Sequence, residues 1–327
     1  MSDSPKSFTQ AVFKSRGSEL VIEKTKWVTP QPGQVVIHVQ ACGINSTDYI
    51  SQYNLIDDTQ QKFPVCPGMC VAAEICEIGE GGEQGGKWKK GDKVGALMRN
   101  GGLGEFAVTD INSLVKLDDS LDPAEACLLL FNCSKLAASY RNNVYNKEDL
   151  VVIHGEGGYA RLAIDVYQKL FNHNKLCLCT SDSKSSPSDY GLQKEQFLLV
   201  GKDDLGNLYA QWVLLALSSV SVDPPEKHIE DLFSGCKDDA RIILLVPSER
   251  ALHIPTGELV QRGISLNGSP YASPQVMEET IKASKVKGVK LDIERYPFTD
   301  KGVKGAWTHM ERERRWEAPV VVFGATH

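Results

Sequence analysis

Apolar and polar positions divide the chain into a β-rich first third and a remainder in which helices and strands alternate. Residues Gln34–Ala41 (QVVIHVQA) alternate apolar and polar side chains with a period of two, which predicts a half-buried strand. Short apolar segments at 71–78, 93–97 and 105–108 predict further strands. The glycine-rich, polar stretch 79–92 predicts a loop between two of them.

From about residue 120 the pattern changes. Asp122 precedes a segment up to Arg141 with helical spacing, Leu150–His154 (LVVIH) is a continuous apolar strand, and Arg161–Leu170 is an amphipathic helix. Strands buried on both faces that alternate with helices indicate a parallel sheet wrapped by its connections. The same alternation predicts strands at 175–180, 197–200, 240–246, 264–268 and 319–323, an apolar segment at 212–217, and helices at 226–233, 274–285 and 301–315.

The composition excludes several classes of protein. With 327 residues the chain has room for about two domains. Its 36 Lys and Arg against 42 Asp and Glu show no basic cluster, which argues against a nucleic-acid or anionic-membrane surface. The apolar runs are far shorter than the ~20 residues that span a bilayer, and the first ten residues lack the hydrophobic core of a secretory signal. We therefore expect a soluble, cytoplasmic protein, and its nine cysteines, without a CxxC pair, are expected to be free thiols.

The stretch 150–170 (LVVIHGEGGYARLAIDVYQKL) contains the most informative motif. Gly155, Gly157 and Ala160 follow a predicted strand and precede a predicted helix in the order G-x-G-x-x-A. The first glycine of such a fingerprint makes the tight turn, the second lets the backbone approach a pyrophosphate, and the third small residue lets helix and strand pack closely. The motif predicts dinucleotide binding at the helix N-terminus; the alternative is a turn retained only for packing.

The end of the following strand bears on which dinucleotide is bound. NAD-binding chains carry an acid here that holds the ribose hydroxyls, whereas the sequence is CTSDSK and its one acid, Asp182, lies beyond the expected strand tip. The hydroxyl of Ser181 and the amine of Lys184 suit a 2′-phosphate, so we expect NADP(H). The alternative is a solvated, serine-rich loop.

The chain resembles the medium-chain dehydrogenase/reductase superfamily, and within it the zinc-less quinone-oxidoreductase-like branch. The stretches that carry the resemblance run nearly from end to end: PGQVVIHVQACGINSTDY (32–49), FPVCPGMCVAAEICEIGEGG (63–82), WKKGDKVGAL (88–97), GGLGEFAV (101–108), the glycine turn, KDDARIILLVPS (237–248) and RWEAPVVVFG (315–324).

The resemblance implies an α/β fold, with a GroES-like β-barrel domain of residues 1–125 plus 270–327 and an inserted Rossmann domain, a doubly wound parallel sheet, of residues 126–269. The cofactor would lie in the cleft between the two domains. A homodimer joined through the Rossmann sheets is the expected assembly, and a small molecule is the expected substrate.

The resemblance also implies site residues. Asn45 would lie near the nicotinamide, and Tyr49 or Tyr53 would donate a hydrogen bond to the substrate carbonyl, unless both are rim aromatics. Where zinc-dependent relatives have ligands, this chain has Asn45, Met69 and Cys70, and the remaining ligand falls near Phe131, two positions from Cys133. Asn and Met are poor zinc ligands, so no metal is expected. The implied cofactor-binding set is Gly155, Gly157, Gly158, Tyr159, Ala160, Arg161, Ser181, Lys184 and Pro247.

Three departures from the family pattern bear on activity. Lys135 stands where a threonine is frequent, Glu156 brings a negative charge into the phosphate-binding turn, and WVLLALSSVSVDPP (212–225) lacks a pair of glycines. The first hypothesis is a zinc-independent NADP(H)-dependent oxidoreductase that transfers hydride to an enone- or quinone-like substrate. The second is a non-catalytic relative that acts as a binding or scaffold component, and the third is a zinc alcohol dehydrogenase.

Overall fold

The computed structural model describes residues 5–48, 62–81, 86–206, 208–215, 226–245, 254–311 and 316–324. Within these ranges the strands form a two-stranded, a seven-stranded and a six-stranded sheet. No helix in this part of the chain is long and apolar enough to cross a membrane.

The seven-stranded sheet is largely antiparallel and curves around a hydrophobic core. Its hydrogen-bonded order is β14-β15-β3-β4-β5-β7, with β6 paired to β3. A separate antiparallel pair, β1 with β2, lies beside it. The strands are β1 (Ser7–Phe13), β2 (Leu20–Lys26), β3 (Gln34–Gly43), β4 (Cys70–Ile78), β5 (Lys93–Leu97), β6 (Phe106–Asp110), β7 (Leu114–Lys116), β14 (Ile293–Pro297) and β15 (Ala318–Val322).

The end of the chain returns to this first sheet. β15 pairs antiparallel with β3, and β14 pairs parallel with β15. Between them a tail helix, α7 (Asp300–Glu311), packs on the core, where the ring of Trp307 meets that of Phe13 at 5.0 Å. The return of the last strands to the first sheet agrees with the predicted GroES-like β-barrel domain. The exact domain boundaries remain predictions.

The six-stranded sheet is parallel throughout, with the order β10-β9-β8-β11-β12-β13. This is the doubly wound order in which ligands bind at the carboxyl ends of the strands, beside the reversal between β8 and β11. The strands are β8 (Val151–His154), β9 (Leu176–Thr180), β10 (Phe197–Leu199), β11 (Ala210–Leu215), β12 (Cys236–Leu244) and β13 (Ser265–Gly268). The α/β class and the Rossmann sheet predicted from the sequence are confirmed.

Two of the helices begin at a side-chain cap. Asp122 caps α1 by accepting the N–H groups of Ala124 and Glu125 at 3.0 Å, and Ser273 caps α6 in the same manner through Val276. The helices are α1 (Pro123–Leu128), α2 (Ser134–Arg141), α3 (Gly157–Phe171), α4 (Glu226–Ser234), α5 (Thr256–Arg262), α6 (Pro274–Lys287) and α7; short 3₁₀ turns lie at Ile111–Ser113, Pro187–Tyr190 and Lys194–Gln196.

A π-helical turn, Leu129–Cys133, joins α1 to α2 in one continuous rod. The hydroxyl of Ser134 donates to the carbonyl of Leu130, inside this turn. Such single π turns often occur at functional sites, because they re-aim the side chains that follow. Here the turn leaves Phe131 and Lys135 on one side of the rod, where both line a cavity.

Candidate active site

The glycine turn has the geometry that a dinucleotide fingerprint needs. β8 ends at His154, Glu156 is extended, and Gly157, with φ of 64°, is the first residue of α3. The helix therefore begins four residues earlier than the predicted Arg161, because the second glycine supplies the left-handed backbone that starts it. Ala160 is fully buried, as close contact between helix and strand requires.

The first turn of α3 meets polar groups of the same domain. The N–H of Gly157 donates to the hydroxyl of Tyr190 at 3.2 Å, and burial raises the pKa of that tyrosine. Glu156 makes no capping hydrogen bond to the helix; its carboxylate accepts the hydroxyl of Ser181 at 2.7 Å. The amides of Gly158 and Tyr159 thus belong to the uncapped first turn, where a helix offers N–H groups to an anion.

The tail of the chain packs directly on this turn. The carbonyl of Trp316 lies so close to Gly158 that an added Cβ would be 1.8 Å from its oxygen. Arg161 forms an ion pair with Asp292 and lies 4.9 Å from the ring centroid of Trp316. Arg161, a predicted cofactor-binding residue, is thus engaged by the tail.

The tip of β9 presents hydroxyl and amine groups. Ser181 and Lys184 are exposed, one and four residues beyond the strand. Asp182 is buried, and its two oxygens accept the N–H of Lys184 at 3.0 Å and the hydroxyl of Ser185 at 2.6 Å. The single acid of this loop is therefore used to shape the loop.

A cavity of about 120 Å³ lies between the two main sheets and is lined by residues from several distant parts of the chain. The barrel contributes the loop 43–47, and the rod of α1 and α2 contributes Phe131 and Lys135. The glycine turn contributes Glu156, Gly158 and Tyr159, and Leu245 and the tail close the remaining sides. The fold therefore brings the fingerprint and Asn45, more than a hundred residues apart, to one cavity.

A buried carboxylate holds Asn45 in place. Asp48 is 2% exposed and accepts the backbone N–H of Asn45 at 2.9 Å, its side-chain amide at 3.1 Å and the N–H of Gly68 at 2.9 Å. Burial raises the pKa of Asp48 to about 6, against the lowering effect of these N–H donors. The Asn45 amide also donates to the carbonyl of Gly43 at 3.2 Å, while its own oxygen has no hydrogen-bond partner among the described residues.

Lys135 places an amine in the wall of the cavity that Asn45 also lines. Its side chain is 5% exposed, and its Nζ lies 4.5 Å from the ring centroid of Tyr271. Burial lowers the pKa of Lys135 to about 8. The sequence marked Lys135 only as a departure from the family pattern; the fold shows that it belongs to the site.

The positions that zinc-dependent relatives use for ligands hold other interactions here. The amide of Asn45 is engaged as described, and the thiol of Cys70 donates to the carbonyl of Cys127 at 3.2 Å. Burial raises the pKa of Cys70 well above its ordinary value, which disfavours the thiolate that binds zinc. Among the described residues, the group with metal-like spacing lies on the tail: Glu294, His309 and Glu317.

Three predicted site residues cannot be placed. Tyr49, Tyr53 and Pro247 lie outside the described residues. Other residues at the site were missed by the sequence analysis: Tyr190 and Trp316 at the glycine turn, Asp292 beside Arg161, and Tyr271 beside Lys135. Each contacts the site from a distant part of the chain, so no local pattern could reveal it.

Comparison with known proteins gives consistent results. The family described as Alcohol dehydrogenase GroES-like domain matches residues 31–119. The alcohol dehydrogenase patD of Penicillium expansum is 25% identical over 346 residues, covering 98% of this chain and 99% of that protein. A chloroplast envelope quinone oxidoreductase homolog of Arabidopsis thaliana is 30% identical over 162 residues, covering 46% of this chain and 48% of that protein.

Solved structures share the fold at low sequence identity. The acetophenone reductase of Geotrichum candidum, solved in complex with NAD, has a TM-score of 0.78 at 16% identity and covers 98% of both chains. The GroES-like domain, the six-stranded parallel sheet and the relatives named above all point to the same class of protein. These findings support membership of the medium-chain dehydrogenase/reductase superfamily and an oxidoreductase of that type.

Proposed function

We propose that the protein is a zinc-independent, NADP(H)-dependent oxidoreductase that transfers hydride to a small enone- or quinone-like substrate. The observation that carries this proposal is the cavity, because a single space is lined by the glycine turn and by Asn45 and Lys135. A cleft at the reversal of a doubly wound sheet is the usual place for such a ligand.

The residues of the turn fit the pyrophosphate of a dinucleotide. The amides of Gly158 and Tyr159 begin α3, and both residues line the cavity. Helix N–H groups and the positive end of the helix dipole attract phosphate, although the Glu156 carboxylate acts against them. When bound, a nicotinamide cofactor would supply the hydride, and Asn45, fixed by Asp48, would orient its ring end.

The preference for NADP(H) rests on the loop after β9. Both oxygens of Asp182 serve the loop itself, so they do not suit the ribose hydroxyls of NAD. Ser181 and Lys184 are exposed at the strand tip, where a 2′-phosphate would lie. The quinone oxidoreductase homolog among the relatives supports the substrate class, and the donor chemistry of Asn45, Met69 and Cys70 supports the zinc-free mechanism.

The test of the proposed function is turnover. Purified protein is mixed with NADPH and a panel of enones and quinones, and separately with NADP+ and simple alcohols, each with a zinc chelator, with added zinc or with neither. We expect NADPH oxidation with some enone or quinone, unchanged by the chelator. Activity that appears only with alcohols and added zinc would overturn the proposal in favour of a zinc alcohol dehydrogenase.

The Lys184→Ala variant should lose most of the preference for NADPH over NADH. The amine is proposed to bind the 2′-phosphate, and a charge-assisted hydrogen bond of this kind contributes about 1.5–3 kcal/mol, or roughly tenfold or more in affinity. Dissociation constants of both cofactors are compared for wild type, Lys184→Ala and the control Lys194→Ala, an exposed lysine of the same domain. An unchanged ratio in Lys184→Ala would remove Lys184 from the cofactor site.

A second candidate function is favoured because residues of the chain itself already bind polar groups of the glycine turn. Tyr190 binds one turn amide, Ser181 binds the carboxylate of Glu156, and Asp292 holds Arg161. A turn so saturated by its own chain fits a non-catalytic protein that keeps the fold for binding or scaffolding. Absence of cofactor binding, together with capture of a protein partner by the same face, would favour this second function.

A further inference from the structure

Lys135 is a buried cation that has no ion-pair partner among the residues that the structure describes. No carboxylate or hydrogen-bond acceptor among the described residues contacts its Nζ, which lies over the ring of Tyr271 at 4.5 Å. Burying an ammonium is costly unless it is paired, and the face of an aromatic ring offsets only part of that cost. The N–H donors of Lys135 are thus left for a ligand of the cavity.

The amine is held in a defined place from both sides of the cavity. The hydroxyl of Tyr271 lies 3.2 Å from that of Thr47, on the barrel loop that also carries Asn45. The ring of Tyr271 packs on Phe131 at 5.6 Å, and Phe131 belongs to the π turn that precedes Lys135. Thr47 and Phe131 therefore fix the ring, and the ring fixes the amine.

The groups around the amine leave it charged near neutral pH and ready to give up a proton. Burial lowers its pKa to about 8, so the ammonium predominates below that pH and the neutral amine above it. Asp292 is paired with Arg161, and the charge of Asp48 adds to the burial that raises the pKa of Tyr271. The other charged or titratable side chains that line the cavity are Glu156, Lys290, Glu317, Cys70, Cys127 and Tyr159.

Resting on the oxidoreductase function proposed above, we propose that Lys135 is the catalytic acid of the cavity, which binds the carbonyl oxygen of the substrate and protonates it. A bound dihydronicotinamide would supply hydride for the β-carbon of a conjugated alkene, and the electron pair of the C=C bond would then move to the oxygen as an enolate. Lys135 Nζ gives its proton to that oxygen. The enol becomes the saturated ketone in water, and the neutral amine regains a proton from solvent.

This role explains why a lysine is compatible with a metal-free site. In metal-dependent alcohol dehydrogenases a zinc ion stabilises negative charge on the substrate oxygen. A preorganised ammonium in a cavity shielded from water supplies positive charge for the same purpose and adds a proton that a metal lacks. The substrate class that follows is one whose oxygen becomes anionic during reduction.

The test combines a binding probe that needs no cofactor with turnover. The probe is 4-nitrophenol, whose phenolate mimics an enolate oxygen and absorbs separately from the neutral phenol. Wild type is compared with Lys135→Met, Lys135→Arg and the control Lys290→Met, an exposed lysine of the same cavity. Lys135→Met removes a buried charge and keeps an unbranched side chain, so it is expected to fold, which circular dichroism and melting check.

At pH 7 we expect wild type and Lys290→Met to bind the phenolate about tenfold more tightly than Lys135→Met does. Wild-type affinity should fall as the pH rises through 8, because Lys135 loses its proton, whereas Lys135→Arg should keep phenolate binding to higher pH. In turnover of cyclohex-2-enone with NADPH, both Lys135 variants should lose about a hundredfold in kcat/KM. The Lys135→Arg loss is expected because a guanidinium does not release its proton.

Two results separate this inference from the function on which it rests. If the enone is reduced but Lys135→Met keeps both its kcat/KM and the phenolate preference, the role of Lys135 is overturned and the oxidoreductase function stands. If the phenolate pattern is found as expected but no acceptor is reduced, the oxidoreductase function fails and Lys135 remains only an oxyanion-binding group.

Discussion

The Gly158→Ala variant is expected to lose about 2–4 kcal/mol of unfolding free energy, because the added methyl group has no space. Its Cβ would lie 1.8 Å from the oxygen and 2.8 Å from the carbon of the Trp316 carbonyl, closer than real Cβ atoms approach other atoms. The obstacle is backbone, so no side-chain rotation relieves it. Either α3 or the tail must shift, and the shift should also weaken cofactor binding at the turn. Urea unfolding and an NADPH titration measure the two effects.

Gly257 provides a matched control. Like Gly158, it is the second residue of a helix, but a Cβ there meets no atom within 4 Å. Gly257→Ala should therefore be neutral or should stabilise the protein by up to about 1 kcal/mol, as alanine does in helices. If Gly158→Ala behaves like Gly257→Ala, the tail does not pack on the glycine turn in solution.

The Asp48→Ala variant should destabilise the protein by about 2–4 kcal/mol and should reduce turnover more than this loss explains. Three N–H donors, two of Asn45 and one of Gly68, would lose their shared acceptor inside the protein. Burying the Asp48 carboxylate costs free energy, as its raised pKa shows. The alanine variant no longer has this cost, so its net loss of unfolding free energy stays moderate. Released from Asp48, Asn45 would no longer hold one orientation in the cavity wall.

Asp118→Ala is the control for Asp48→Ala. Asp118 also accepts two hydrogen bonds, from the N–H and the hydroxyl of Ser120, but it is exposed on the surface. Removing an exposed acceptor leaves its donors to water, so stability and turnover should change little. Equal kinetics of wild type and Asp48→Ala, at a temperature where both are folded, would show that Asn45 does not depend on this carboxylate.

Local pattern was sufficient for the central part of the fold. The strand at 150–154, the glycine turn and the following helix were recognisable because a buried parallel strand is a continuous apolar run and the turn requires glycine. No individual strand was predicted for β1, β2 or β14. In β1 only Ala11–Phe13 is fully buried, and β14 (IERYP) has no buried residue, so neither shows a clear alternation.

The site was harder to predict than the fold, because its contacts join distant parts of the chain. Arg161 was assigned to the cofactor from its place in the fingerprint, but its partner Asp292 lies 131 residues further along. Lys135 stood out only as an unusual residue, since the sequence does not show that Tyr271 and Thr47 lie beside it. Burial, which sets the pKa values of Lys135 and Asp48, follows from the packed structure alone.

The most direct measurement of the central claim is a titration of the purified protein with NADPH and with NADH. Nicotinamide fluorescence and the melting temperature are followed together. A ligand at a hundred times its dissociation constant stabilises the folded state by about 2.7 kcal/mol, which gives a readable rise in melting temperature. We expect saturable binding of NADPH, tighter than that of NADH. No binding of either cofactor at millimolar concentration would contradict it and would make the glycine turn a structural element only.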